Sequence, residues 1–180
     1  PLGLAGRAHA EQAPTASLRP PGAAPPWQFG QLCLRCGNCV RACPPQIIRT
    51  RWQLDRWQDW LLPEVALDDD YCRAGCFACM EACPSGALAM PSSDPAAKPA
   101  IGLAYVLMDR CLLAQGSECR TMCLDSCPHE AITLHPWTWE DARRYPMIAS
   151  DRCPGCGACQ VACTPMDAIV VRPVPQTGVG

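Results

Sequence analysis

Large aromatic side chains are scarce in this sequence. Among 180 residues there are two Phe and three Tyr, too few to build the apolar core on which a chain of this length ordinarily rests. Runs of roughly 18 or more apolar residues are also lacking, so the sequence contains no candidate membrane-spanning helix. Blocks of basic charge are missing too. The 15 Lys and Arg are scattered and the formal net charge is −2, which leaves no electrostatic footprint for nucleic acid and removes that class. The three histidines, His9, His129 and His135, are too few and wrongly spaced to complete zinc sites. No activated nucleophile, carboxylate pair or phosphate loop argues for catalysis by this chain alone.

What is plentiful is proline, at 20, and cysteine, at 16. A chain so composed must draw stability from something besides apolar burial. Cysteine at this density has three explanations: a disulfide framework, structural zinc, or thiolate-ligated clusters. Self-comparison reveals four copies of one unit, whose last cysteines are Cys43, Cys83, Cys127 and Cys163, at intervals of 40, 44 and 36 residues. Such a repeat is organised by its ligands. After three of these cysteines comes a Pro and a short β-like run: Pro84-Ser85-Gly86-Ala87-Leu88, Pro128-His129-Glu130-Ala131-Ile132 and Pro44-Pro45-Gln46-Ile47-Ile48. The fourth inserts a residue, Cys163-Thr164-Pro165, before Ala168-Ile169-Val170-Val171. Three copies open with Asp-x-Cys, at Asp70, Asp109 and Asp151, where the carboxylate can tighten the loop through local backbone hydrogen bonds.

Repeat one, Cys33-x2-Cys36-x2-Cys39-x3-Cys43-Pro44, has the spacing of the bacterial ferredoxin run. Three thiolates two residues apart wrap a loop around three corners of an iron–sulfur cube. The fourth, a helical turn beyond the third, leans away and serves the neighbouring cluster. Repeat four, Cys153-x2-Cys156-x2-Cys159-x3-Cys163, keeps this spacing, and its Gly155 and Gly157, like Gly37, suit a backbone that donates N–H groups to sulfide. Repeat two, Cys72-x3-Cys76-x2-Cys79-x3-Cys83, adds a residue to the first gap. Repeat three, Cys111-x7-Cys119-x3-Cys123-x3-Cys127, departs further, and Cys119 is the least regular of the candidate ligands. Longer gaps only enlarge a loop, at an entropic cost that grows slowly.

Disulfides would need cysteines placed to meet distant partners, whereas twelve of these stand as threesomes within single loops. Zinc fits at most one irregular site. Four repeats of four ligands account for all sixteen cysteines, so the spacing predicts four [4Fe–4S] clusters.

The chain also resembles a known family, the NapG/MauM-like polyferredoxins of periplasmic nitrate reductase and methylamine-utilisation systems, and more loosely NapF. The likeness runs over 18–171. It is carried by Leu18-Arg19-Pro20-Pro21-Gly22-Ala23, by Cys83-Pro84-Ser85-Gly86-Ala87-Leu88, by the stretch that opens Asp109-Arg110-Cys111-Leu112 and closes Ala131-Ile132-Thr133-Leu134, and by 153–163. Residues 51–71 and the repeat-two spacing match less well. The resemblance implies a periplasmic, Tat-exported protein with four [4Fe–4S] clusters, associated with the membrane through a quinol dehydrogenase and passing electrons toward a terminal reductase. The rival expectation is an electron-transfer subunit fixed in a stable respiratory oxidoreductase complex.

These readings predict an α+β protein of two ferredoxin-like modules with little regular secondary structure, each binding two clusters. Residues 1–30 are expected to be a leader in which Ala8-His9-Ala10 fits an export cleavage site, residues 31–172 the polyferredoxin, and residues 173–180 a tail. Pairing of the repeats is either sequential or nested. Nested pairing, one with four and two with three, is preferred because 87–108, with its connector 92–100, reads as a strand–connector–strand hairpin. The Trp-bearing links 51–62 and 137–144 would then cross between modules. The first of these has Leu54, Trp57 and Leu61 at helical spacing and is read as a short amphipathic helix, with Trp52 and Trp60 off that stripe as candidates for docking a partner.

Overall fold

Four helical turns punctuate the chain, each too short to persist alone. The computed structural model describes residues 17–52, 59–91, 98–138, 143–164 and 166–174. After α1 (Pro26–Leu32), the turns are α2 (Asn38–Ala42), α3 (Ala78–Glu81), α4 (Met122–Asp125) and α5 (Ala158–Ala162). Each has the third cysteine of a run as its second residue, Cys39, Cys79, Cys123 and Cys159, and ends at or just before the fourth. The residue two before that third cysteine caps each turn. It is left-handed at Gly37, Thr121 and Gly157. Thr121, a β-branched residue at φ 53°, shows that the loop imposes this conformation even where the sequence does not favour it. The extra residue between Cys119 and Cys123 is thus taken up ahead of the cap.

Two halves of the chain repeat one plan. In the first, β1 (Ile48–Thr50) and β2 (Pro63–Val65) form an antiparallel hairpin between α2 and α3, with Ile48 opposite Val65. Its outer ends meet where Ala23 bridges Leu88, flanked by Ala24 N–H donating to Ala87 O (3.0 Å) and Ala89 N–H to Gly22 O (2.8 Å). In the second half, β4 (Ile132–Pro136) and β5 (Arg144–Ile148) form the hairpin between α4 and α5, and β3 (Leu103–Val106) pairs antiparallel with the returning β6 (Ile169–Arg172). The apolar residues facing inward from both halves, among them Ile47, Ile48, Leu67, Leu88, Ala104, Ile132 and Ile169, belong to one buried cluster.

Three expectations are corrected. Residues 87–108 are not a hairpin: Leu88 pairs with Ala23, and 103–106 pair with 169–172, so this stretch leads from one half to the other. The links at 51–62 and 137–144 do not cross between modules: they join β1 to β2 and β4 to β5, each within one half. Residues 53–58 and 139–142, which include Leu54, Trp57 and Trp139, lie outside the described residues. On either side of 53–58, Arg51 N–H donates to Leu62 O and Leu61 N–H to Arg51 O (3.0 and 2.9 Å), extending the β1–β2 pairing; the expected helix lies largely outside the described residues. Finally, the leader does not extend to residue 30. Pro20, Pro21 and Phe29 are fully buried, Val65 N–H donates to Leu18 O (2.8 Å), and the Arg19 guanidinium pairs with Asp59 (3.1 Å) and lies 5.3 Å above the Phe29 ring. Ala8-His9-Ala10 and residues 175–180 of the expected tail are outside the described residues.

The halves meet along the loop of run four. Cys72 N–H donates to Cys156 O (2.9 Å), and Gln160 spans the seam, its Nε2 donating to Leu67 O (3.1 Å) while its Oε1 accepts from Val171 N–H (2.8 Å). Gly157, at φ 90°, stands where a β-carbon would come within 2.7 Å of the Leu67 side chain. Only glycine allows this approach.

Because Phe29 is among the few large side chains in the core, Phe29→Ala should destabilise the protein by about 3–5 kcal/mol. The measurement is guanidinium denaturation of the iron-loaded protein followed by visible absorbance. An unchanged midpoint would mean that the 17–32 segment is not part of the folded unit.

Candidate metal centres

The fourth cysteine of each run crosses to the other run of its own half. Cys33, Cys36 and Cys39 line one cavity with Cys83, whereas Cys72, Cys76 and Cys79 line another with Cys43. In the second half, Cys153, Cys156 and Cys159 border a cavity with Cys127. Counted to their open mouths these spaces measure about 450, 320 and 310 Å³. Cys111, Cys119 and Cys123 complete the pattern with Cys163: Cys163 packs on the buried group formed by Cys111, Ala114 and Ala168, and both Cys111 and Cys119 act electrostatically on it and on Cys123.

This is sequential pairing, repeat one with two and three with four, and it corrects the nested preference. The physical reason lies in the hairpins. Each is short enough to fold run two back onto run one, and run four onto run three, so the fourth cysteine meets the nearer run first. Cys119, irregular in spacing and exposed, still lies within electrostatic reach of Cys123 and Cys163. Widening the first gap of run three from two residues to seven costs only about 1 kcal/mol of closure entropy.

Burial and like neighbours make these thiols poor places for bare negative charge. Desolvation first, then neighbouring cysteines, push Cys39 and Cys123 up to about 11 and Cys79 and Cys159 up to about 12. A cationic metal core offsets both effects, since thiolate ligation is what deprotonates such groups. Backbone donors are aimed at the sulfurs as well. Leu88 N–H donates to Cys83 Sγ and Ala131 N–H to Cys127 Sγ, each at 3.4 Å, in the turns that follow Cys83-Pro84 and Cys127-Pro128. At Cys83 burial works against the thiolate, but donors from Leu88, Ser85 and Ala87 prevail and its pKa is lowered. Among the described residues, no three Cys, His, Asp or Glu side chains close around a single ion. The quartets border wider spaces, as ligands of a multi-atom cluster must.

The quartets also stand in a row. Cys79 feels Cys39 of the first quartet, Cys156 feels Cys72 across the Cys72–Cys156 hydrogen bond, and Cys159 feels Cys123 of the last. In space the order is therefore run one, run two, run four, run three. Of the Asp-x-Cys carboxylates, Asp70 accepts from the Tyr71 N–H (2.8 Å) as expected and also holds Arg73 (2.9 Å). One residue that sequence reasoning passed over is Lys98, whose Nζ donates to Cys72 Sγ (2.9 Å) and to Arg73 O (2.8 Å). Its place in a Pro/Ala connector gave no motif to find.

Comparison with known proteins agrees with this two-half plan. The 4Fe-4S dicluster domain family matches over residues 32–87 and again over 117–168, one match to each half. The chain is an iron–sulfur protein with two dicluster domains, and it binds [4Fe–4S] clusters. It is 35% identical over 172 residues to the methylamine utilization ferredoxin-type protein MauM of Methylophilus methylotrophus, covering 91% of this chain and 73% of that one. It is 37% identical over 167 residues to the ferredoxin-type protein NapG of Escherichia coli, covering 87% and 71%, and 34% identical over 155 residues to NapF of the same organism, covering 86% and 84%. The chain belongs to this family of ferredoxin-type proteins, and it is an electron carrier, not an enzyme in its own right.

Serine at a crossing cysteine should mark the site of the other run. The Mössbauer signature altered by Cys43→Ser is expected to coincide with that altered by Cys79→Ser, and the Cys39→Ser signature with that of Cys83→Ser. If Cys43→Ser instead alters the site of Cys159, nested pairing holds after all.

Proposed function

We propose that the four quartets hold four [4Fe–4S] clusters and that the chain carries electrons along them, from a membrane quinol dehydrogenase toward a periplasmic terminal reductase. The observation that carries this reading is the row of quartets. All sixteen cysteines fall into four sets of four, and each set adjoins the next in the order of runs one, two, four and three. When bound, the clusters supply one-electron redox chemistry; the chain's residues hold them at fixed separations, limit water access and direct N–H groups to sulfur. Support for the periplasmic side and for the partners comes from the family: relatives are named for methylamine utilization and as ferredoxin-type proteins NapG and NapF. No helix among the described residues is long and apolar enough to cross a membrane, so membrane association is assigned to the partner.

The first quartet is the end we assign to docking that dehydrogenase. Its cavity is bordered by Leu34 and Arg35, and Arg35 Nε donates to Trp60 O (3.0 Å), so Trp60 is held beside it. Trp52 and Trp60 meet edge to face at 6.4 Å, and both stand in solvent, 69% and 42% exposed, as do Trp27 at 73% and Leu34 at 67%. Tryptophan left in water beside a redox site is costly unless a partner covers it.

Protein purified without oxygen should contain about sixteen irons and about sixteen acid-labile sulfides per chain, as four cubanes require. Zinc without iron after careful reconstitution would overturn the assignment. A Trp52→Ala/Trp60→Ala variant should keep its iron and lose at least tenfold in affinity for the quinol-oxidising partner. Loss of iron with no selective binding defect would place these residues in the fold instead.

A further inference from the structure

Fourteen of the fifteen basic residues in the sequence are arginine, and the one lysine, Lys98, stands against a candidate ligand sulfur. Two of its three ammonium donors are committed, one to Cys72 Sγ at 2.9 Å and one to Arg73 O at 2.8 Å, so the charge is pinned and not free to swing into water. The other sulfur-directed contacts described come from backbone N–H groups, such as those of Leu88 and Ala131, and from the Ser85 hydroxyl at 3.7 Å, all of them neutral. Lys98 alone among these brings a full positive charge. Its position in the row matters equally. Cys72 donates its own N–H to Cys156 O, so the sulfur that Lys98 touches belongs to a residue at the seam between the two halves.

We propose that Lys98 tunes the second cluster of the row, the one held by Cys43, Cys72, Cys76 and Cys79, to a higher reduction potential, and thereby sets the energy of the step on which electrons pass between the two modules. The inference rests on the four-cluster reading above. Reduction adds one electron, and hence one negative charge, to the site without moving a proton. An ammonium held against a ligand sulfur stabilises that added charge, and charge-assisted hydrogen bonds to sulfur are an established lever on cluster potential. A lysine does this as a compact point charge on a flexible stem. Raising the second site makes it the place where an electron entering at the first quartet pauses before crossing to the fourth run, or where one arriving from the far module is drawn across.

The test is an EPR-monitored redox titration of the anaerobically purified full chain, with iron analysis of every sample. In Lys98→Met one midpoint of the four should move to a more negative value while the other three hold, with iron unchanged. Lys98→Arg, which keeps a cationic donor, should return most of that shift. Four unmoved midpoints in iron-replete Lys98→Met would overturn the proposal. Should Lys98→Met fail to load iron, acetylation of the assembled wild-type protein reads the same quantity, because Lys98 is the sole side-chain amine; a midpoint unmoved by acetylation overturns the proposal equally. Failure of the wild type itself to carry about sixteen irons would count against the four-cluster reading and not against Lys98.

Discussion

A Cys-x2-Cys-x2-Cys loop presents three thiols to one site, and its fourth cysteine, seated where a short helix ends, faces the site of a neighbouring run. From that restriction the rest of the architecture follows. Two runs must lie close enough to exchange their last cysteines, and the β1–β2 and β4–β5 hairpins are the shortest way to fold one run back upon the other. The ends of each half then meet, as an Ala23–Leu88 bridge in one and as the β3–β6 pair in the other. Helices of four to seven residues and strands of three to five would not persist on propensity alone. They are held by what they position.

The electrostatics act in the same direction. Thiols packed four to a site and stripped of water resist ionisation, as the upward shifts at Cys39, Cys79, Cys123 and Cys159 show. Folding thus creates sites whose polar groups gain their full stabilisation only with a cationic core in place, which couples metal binding to stability. A sparse apolar core is consistent with that coupling, and the residues it does contain serve the seams. Leu67 fills the space that Gly157 leaves, and Gln160 ties the modules through backbone groups on both sides. A row of sites needs a rigid seam, because transfer between neighbours depends on their spacing.

Much of the site was legible because cysteine spacing is a local property. The four runs, the loop glycines at Gly37 and Gly157, and the departure of each fourth cysteine from its own loop all follow from positions a few residues apart. Pairing of the runs was not legible, since it depends on which strand ends meet across the fold. The stretch 87–108 has the apolar–connector–apolar pattern of a hairpin, yet its two apolar runs are edge strands of different halves. The β1 and β2 strands are three residues each, too short for an alternating pattern to show. Residues 17–30 read as an Ala/Pro-rich leader because Pro20 and Pro21 look like linker residues until they are seen buried against the hairpin base. Lys98 went unnoticed for the opposite reason: a lone charge in a connector has no pattern at all.

The most direct test of the central claim, that sequentially paired quartets hold four clusters in a row, is anomalous diffraction at the iron edge from crystals grown without oxygen. The account predicts four iron positions in the order of runs one, two, four and three, with Cys43 beside the iron of Cys72, Cys76 and Cys79. Fewer iron sites, or Cys43 beside the iron of Cys153, Cys156 and Cys159, would contradict it.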